Sequence, residues 1–147
     1  MHWVATRSES FVTDCQGRDS FWHAELALNT RGRFLALKVD GIGNLGAYFV
    51  GVAHFVVTTH ISGCLPTVYD IPLAQVNSRC VFTNTVPTAP YRGAGRPEAT
   101  YLIEQLLDKA ARVVGIDPVE IRRRNFIPSS AMPHKIGTGI TYDSGDF

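Results

Sequence analysis

Two arginines bracket two glycines in Tyr91-Arg92-Gly93-Ala94-Gly95-Arg96-Pro97-Glu98, and the residues after Pro97 fall into helical register. A glycine loop that runs into a helix start has recognisable chemical uses. Backbone N–H groups at such a start carry partial positive charge and can hold anions. Glycines let a ligand come close to the backbone, and guanidinium groups grip paired oxygens. The same residues also make an ordinary surface loop, with Arg92 and Arg96 solvated or paired with Glu98 and Asp108. Spacing alone leaves both open.

Other chemistry-bearing residues are sparse. His60 stands alone among apolar residues, a setting that suits a satisfied structural histidine as well as a pocket residue. Arg122-Arg123-Arg124 could meet phosphate, although a cationic helix end is the simpler account. Cys15, Cys64 and Cys80 are an odd set without C-x-x-C spacing, which points to free thiols. Glu9 and Asp14 have no neighbour to drive their pKa values apart, so paired-carboxylate hydrolysis is excluded.

The elements that must position the loop follow from periodicity. Residues 20–29 alternate, with Trp22, Ala24, Leu26 and Leu28 on one face, and 33–40 resume the alternation after Asn29-Thr30-Arg31-Gly32. That pattern predicts a β-hairpin. Gly41, Gly43 and Gly46 mark a closely approached backbone that continues irregularly to Phe49. His2 to Ala5 reads as a short strand, 50–63 as either helix or strand, and 74–83 as a further strand. From Pro97, the residues Ala99, Leu102, Ile103, Leu106, Leu107, Ala110, Val113 and Val114 repeat at helical spacing until Gly115. Asp117-Pro118-Val119-Glu120 starts a second, short helix to about Arg124. The tail from Pro128 reads as loop. The expected class is α+β: a mixed or antiparallel sheet with a hairpin, packed by one long and one or two short helices.

Length and composition bound the rest. The chain has 147 residues, 45% hydrophobic and 18% charged, with a formal net charge of +1. This is globular composition with no overall field for nucleic acid or anionic membrane. The longest apolar cluster, 47–57, is interrupted by Gly51 and His54 and is too short to span a bilayer. MHWVATRSES lacks a basic-then-apolar signal pattern, so a cytoplasmic setting is expected. Both ends read as cuts through a larger unit, giving one partial domain over 1–147, with apolar faces that make self-association plausible.

Several motifs in order carry a family resemblance. Phe82-Thr83-Asn84-Thr85, Tyr91-Arg92-Gly93-Ala94-Gly95-Arg96-Pro97-Glu98-Ala99 and Ile116-Asp117-Pro118-Val119-Glu120-Ile121-Arg122-Arg123-Arg124-Asn125-Phe126-Ile127-Pro128 are joined by Thr6-Arg7-Ser8-Glu9-Ser10-Phe11, Gly17-Arg18-Asp19 and Thr141-Tyr142-Asp143-Ser144-Gly145-Asp146. Together they resemble the molybdopterin-binding large subunit of the molybdenum hydroxylases. This is the xanthine dehydrogenase, aldehyde oxidase and aerobic carbon monoxide dehydrogenase family, and the resemblance is nearest to chains called carbon monoxide dehydrogenase large chain.

That resemblance implies part of a molybdopterin-binding domain in a molybdenum-dependent oxidoreductase. Tyr91, Arg92, Gly93, Ala94 and Gly95 would lie beside the cofactor, with Gly93, Ala94 and His60 toward the substrate. The implied cofactor is molybdenum-molybdopterin, in the cytosine dinucleotide form, with none expected on this chain alone. Implied partners are the rest of the large subunit, an iron–sulfur small subunit and a flavin medium subunit. The family's general-base glutamate would fall outside this chain, so no catalytic residue is expected here and isolated turnover is not expected. A non-catalytic α+β interaction or structural module is the alternative.

Three departures from the family pattern matter. Copper-dependent members carry a cysteine after the loop arginine, where this chain has Gly93, which offers no soft ligand for Cu(I). Purine hydroxylases place phenylalanine two residues after that arginine, where this chain has Ala94. They also orient the purine with an arginine eleven residues before the next strand's Ile-Pro, and counting back from Ile71 reaches His60. A smaller or less planar substrate, an aldehyde or an N-heterocycle, is expected.

Overall fold

The computed structural model describes residues 2–147. A three-stranded mixed sheet in the order β1–β2–β3 lies at its centre. β1 (Ser20–Leu28) and β2 (Phe34–Asn44) form the expected antiparallel hairpin, with Ala24 opposite Val39 and Leu26 opposite Leu37. Asn29 holds the turn: its side-chain oxygen accepts from the N–H groups of Arg31 and Arg33, and Gly32 takes φ 76°. β2 runs regularly to Asn44 instead of irregularly to Phe49. Glycine is needed in that stretch because side chains cover the backbone. A Cβ on Gly41 would lie 2.1 Å from the Trp22 ring, and one on Gly43 would lie 2.4 Å from Val57.

β3 (Leu73–Val81) runs parallel to β2, with Val39 opposite Val76. Parallel neighbours require a crossover. The ambiguous segment supplies it as helix: α2 (Ala53–Phe55), a π-helical turn (Val56–His60) and α3 (Ile61–Cys64). Burial of Ala53, Val56, Val57 and Ile61 decides the matter, because one face of this segment packs inward.

The long helix, α4 (Arg96–Val114), buries Ala99, Ile103, Leu107, Ala110 and Ala111 in a core shared with Phe34, Leu37, Val39, Ile61 and Tyr69. Gly115 ends it at φ 68°, a left-handed position suited to glycine. Val113, expected on the inner stripe, is 77% exposed, lining an open depression beside Leu28 of β1 instead of entering the core. α5 (Pro118–Asn125) starts as expected, with the Asp117 carboxylate accepting from the N–H groups of Val119 and Glu120. Its last residue, Asn125, is fully buried. The Asn125 amide donates to the carbonyls of Gly32 and Ile121 and accepts from the N–H of Phe34, tying the helix to the hairpin turn.

Two expectations are corrected at the ends. His2 to Ala5 forms no strand, and the nearby regular element is a helix, α1 (Arg7–Thr13). Trp3 and Val4 are 77% and 76% exposed with no strand paired to them, and Thr6 and Glu9 close a reciprocal capping box that starts the helix. The tail is not entirely loop: a 3₁₀ turn (Ser129–Ala131) precedes the two-residue pair β4 (His134–Lys135) and β5 (Thr141–Tyr142). The Tyr142 hydroxyl donates to the Thr67 carbonyl, which docks this pair on the body of the domain. Among the described residues, no helix is long and apolar enough to cross a membrane.

Candidate site at the glycine loop and the start of α4

The Tyr91–Gly95 loop adopts an unusual conformation. Gly93, Ala94 and Gly95 lie at φ 94°, 44° and 93°, three left-handed residues in succession. Glycine tolerates this, whereas Ala94 does so at a cost of about 1–2 kcal/mol. Internal turns help to hold the loop, with Ala94 N–H donating to Tyr91 O at 2.8 Å and Arg96 N–H to Gly93 O at 3.1 Å. The N–H groups of Arg92 and Gly93 meet no acceptor among the described residues.

The helix start differs from a bare anion cradle. Pro97 has no N–H, that of Arg96 is already used, and the Glu98 carboxylate sits in the first turn. The available donors are therefore the loop's N–H groups together with that of Glu98, which meets no acceptor among the described residues. Arg92 and Arg96 do not take the carboxylate pairing that the spacing had left open. Glu98 meets Arg18 at 3.2 Å, and Asp108 meets Arg122 at 2.8 Å. No acidic partner within ion-pair distance faces Arg92 or Arg96 among the described residues.

His60 does meet the loop. It is half-buried, and its Nδ1 lies 3.0 Å from the Ala94 carbonyl oxygen. It also lines an open depression with Cys64, Arg96 and Ile140. Gly95 packs directly against the crossover: a Cβ there would lie 2.6 Å from Val56 O and 2.8 Å from His60 Cβ. The structure thus brings Tyr91, Arg92, Gly93, Ala94, Gly95 and His60 into one neighbourhood.

Arg18 is the member that periodicity could not reveal. Its Nη2 donates to the Arg92 carbonyl at 2.6 Å, its Nε lies 3.2 Å from Glu98, and its guanidinium stands 4.6 Å from the centre of the Tyr91 ring. The only sequence signal was Gly17-Arg18-Asp19, seventy-four residues upstream of Arg92.

The remaining candidates are structural. Glu104 accepts from Tyr69 and Arg122, and Glu120 from Arg124. Two members of the arginine triplet are therefore committed to ion pairs within the fold. Burial, then the Glu104 hydrogen bond, pushes the Tyr69 pKa well above its ordinary value. Burial pushes the Cys80 thiol up, away from reactivity. Among the described residues no group of three or more His, Cys, Asp or Glu is placed to hold a metal ion.

Residues 1–126 match the family described as the molybdopterin cofactor-binding domain. The chain belongs to that family. It is 34% identical over 147 residues to the carbon monoxide dehydrogenase large chain of Hydrogenophaga pseudoflava, covering 99% of this chain and 18% of the relative. It is 33% identical over 149 residues to the 6-hydroxypseudooxynicotine dehydrogenase complex subunit gamma of Paenarthrobacter nicotinovorans, covering 98% and 19%. The crystal structure of quinoline 2-oxidoreductase from Pseudomonas putida 86 superposes with a TM-score of 0.87 at 33% identity, over 95% of this chain and 18% of that one. This molybdopterin-binding domain chain spans about a fifth of the length of these relatives.

Proposed function

We propose that this chain is a segment of the catalytic large subunit of a molybdenum-dependent hydroxylase or dehydrogenase, and that its Tyr91–Gly95 loop holds the molybdopterin cofactor. The observation that carries the proposal is the donor set. Arg92 and Gly93 present unused backbone N–H groups beside an Arg92 guanidinium with no carboxylate partner. Such donors suit an anionic oxygen-rich group, and preorganised N–H groups stabilise charge developing on oxygen. When bound, the cofactor supplies oxygen insertion at an electron-poor carbon, with two electrons passed onward. The chain's own residues orient the group and shape its surroundings. Tyr91 and Gly95 frame the loop, while Gly93, Ala94 and His60 line the substrate side.

Gly93 supports a copper-free site, because it has no thiolate and its φ of 94° disfavours any side chain. A Cβ there would also lie 2.6 Å from Pro97. Ala94 leaves room where a bulkier residue would stack on a purine. Two relatives named for 6-hydroxypseudooxynicotine and quinoline favour an N-heterocycle over an aldehyde. The cofactor is the cytosine dinucleotide form. The partners are the remainder of the large subunit with iron–sulfur and flavin subunits, and the setting is cytoplasmic.

The test uses a full-length subunit that contains this chain. Arg92→Ala should lower its molybdenum content or its kcat, read by metal mass spectrometry and steady-state kinetics. Unchanged values for both reject the loop's role. Stoichiometric copper in the unaltered protein rejects the copper-free assignment.

A further inference from the structure

We propose that Arg18 is the positioning residue of the Tyr91–Gly95 loop, holding it in its left-handed conformation from a separate part of the chain. Its relevance to the cofactor rests on the function proposed above.

The loop cannot keep its shape through local preference alone. Ala94 lies at φ 44° between two left-handed glycines, and Tyr91 is 63% exposed. Without outside contacts the segment would relax, since left-handed runs are unfavourable for residues with a Cβ. Two side chains from outside the loop and α4 meet its carbonyls. His60 meets the Ala94 carbonyl, and Arg18 meets the Arg92 carbonyl. Arg18 does more than His60, because it engages three groups at once. The planar guanidinium uses Nη2 for the carbonyl, Nε for Glu98 and its face for Tyr91. An ammonium group could not reproduce this fork.

Arg18 is itself held in place. Gln16 donates its N–H to Pro87 O at 2.9 Å and accepts from Ala89 N–H at 2.8 Å, so 15–17, just before Arg18, lie alongside 87–89. On the other side, Asp19 O accepts from Asn44 N–H at 2.9 Å and its carboxylate accepts from the Asn44 amide at 2.6 Å. Gly17 permits the approach, since a Cβ there would lie 3.0 Å from Tyr91 Cβ. The Arg18 backbone takes φ 57°, an uncommon position for arginine, which aims its side chain across the loop. Its partner Glu98 is only 11% exposed, so the charge-assisted contact is largely shielded on the acidic side.

Limited trypsin digestion of a full-length subunit that contains this chain tests the proposal, because trypsin cuts after Arg92 and spares the Arg96–Pro97 bond. Cleavage after Arg31, in the hairpin turn, serves as the internal reference. Arg18→Gln should speed cleavage of Arg92–Gly93 about tenfold relative to Arg31–Gly32, because native-state cleavage follows local opening. Arg18→Lys should recover part of the protection, through its charge opposite Glu98. Equal acceleration of both bonds, or of neither, overturns the proposal. The cofactor assignment fails or stands separately, on the molybdenum content of Arg92→Ala in the full-length subunit.

Discussion

Where the loop enters α4, Gly95 sits at φ 93° with the Val56 carbonyl and the His60 side chain against it. Two separate effects require glycine here. Any L side chain would be strained at that φ, and a Cβ would lie 2.6 Å from a carbonyl oxygen in the crossover. Gly95→Ala should therefore cost about 2–4 kcal/mol, from backbone strain and overpacking together. Urea denaturation of the two proteins measures it, and a change below about 0.5 kcal/mol would show that the crossover yields easily. Arg92 behaves differently, since it is exposed and without a carboxylate partner, so its replacement should affect ligand binding far more than stability.

Between elements, a polar junction joins α4 and α5 to the segment before β3. Tyr69 donates to Glu104 at 2.7 Å, Glu104 accepts from Arg122 at 2.8 Å, and Arg122 also reaches Asp108. Tyr69 stacks on Phe126 at 5.4 Å and is 2% exposed, so the phenol is held neutral in the fold. Its pKa is raised from 10.0, first by burial and then by Glu104. A raised folded pKa means that the unfolded chain loses this proton first. The neutral phenol's contribution is thus complete below about pH 10 and declines as the pH rises above it. Tyr69→Phe should flatten that alkaline decline while lowering stability at neutral pH through the unpaired Glu104 oxygen. Thermal unfolding between neutral pH and pH 11 reads both effects, and an unchanged alkaline slope would remove Tyr69 as its source.

On the scale of the whole molecule, the accessible surface is 9091 Å². A compact monomer of 16.2 kDa would expose about 7,500 Å². The excess includes large apolar side chains, with Phe11 67%, Phe21 73%, Phe49 56% and Val113 77% exposed. Apolar groups scattered singly are ordinary, but these accompany a sheet whose outer strands β1 and β3 each have one unpaired edge. The chain should bind a hydrophobic dye in its native state and associate as its concentration rises. Sedimentation velocity across a hundredfold dilution checks this, with a constant monomer peak and no dye binding as the contrary result.

Much of the secondary structure was legible in the sequence, because burial on one face imposes a local period. Alternation marked β1 and the first half of β2, 3.6-residue spacing marked α4, and Asp117-Pro118 marked the start of α5. The glycine loop was legible too, since two glycines and two arginines before a helix are a compact signal. The crossover was not, because its apolar residues fit either period until packing against the sheet selected helix. The Thr6 and Glu9 capping box was legible in principle, yet His2 to Ala5 suggested a strand on β-propensity alone. What only the tertiary structure decided is how the loop is supported. Arg18 and His60 reach it across 74 and 34 residues, and carbonyl contacts at such separations leave no periodic trace in the chain. They depend on how the crossover, β2 and α4 stack, and that stacking follows from the shared core rather than from any one segment.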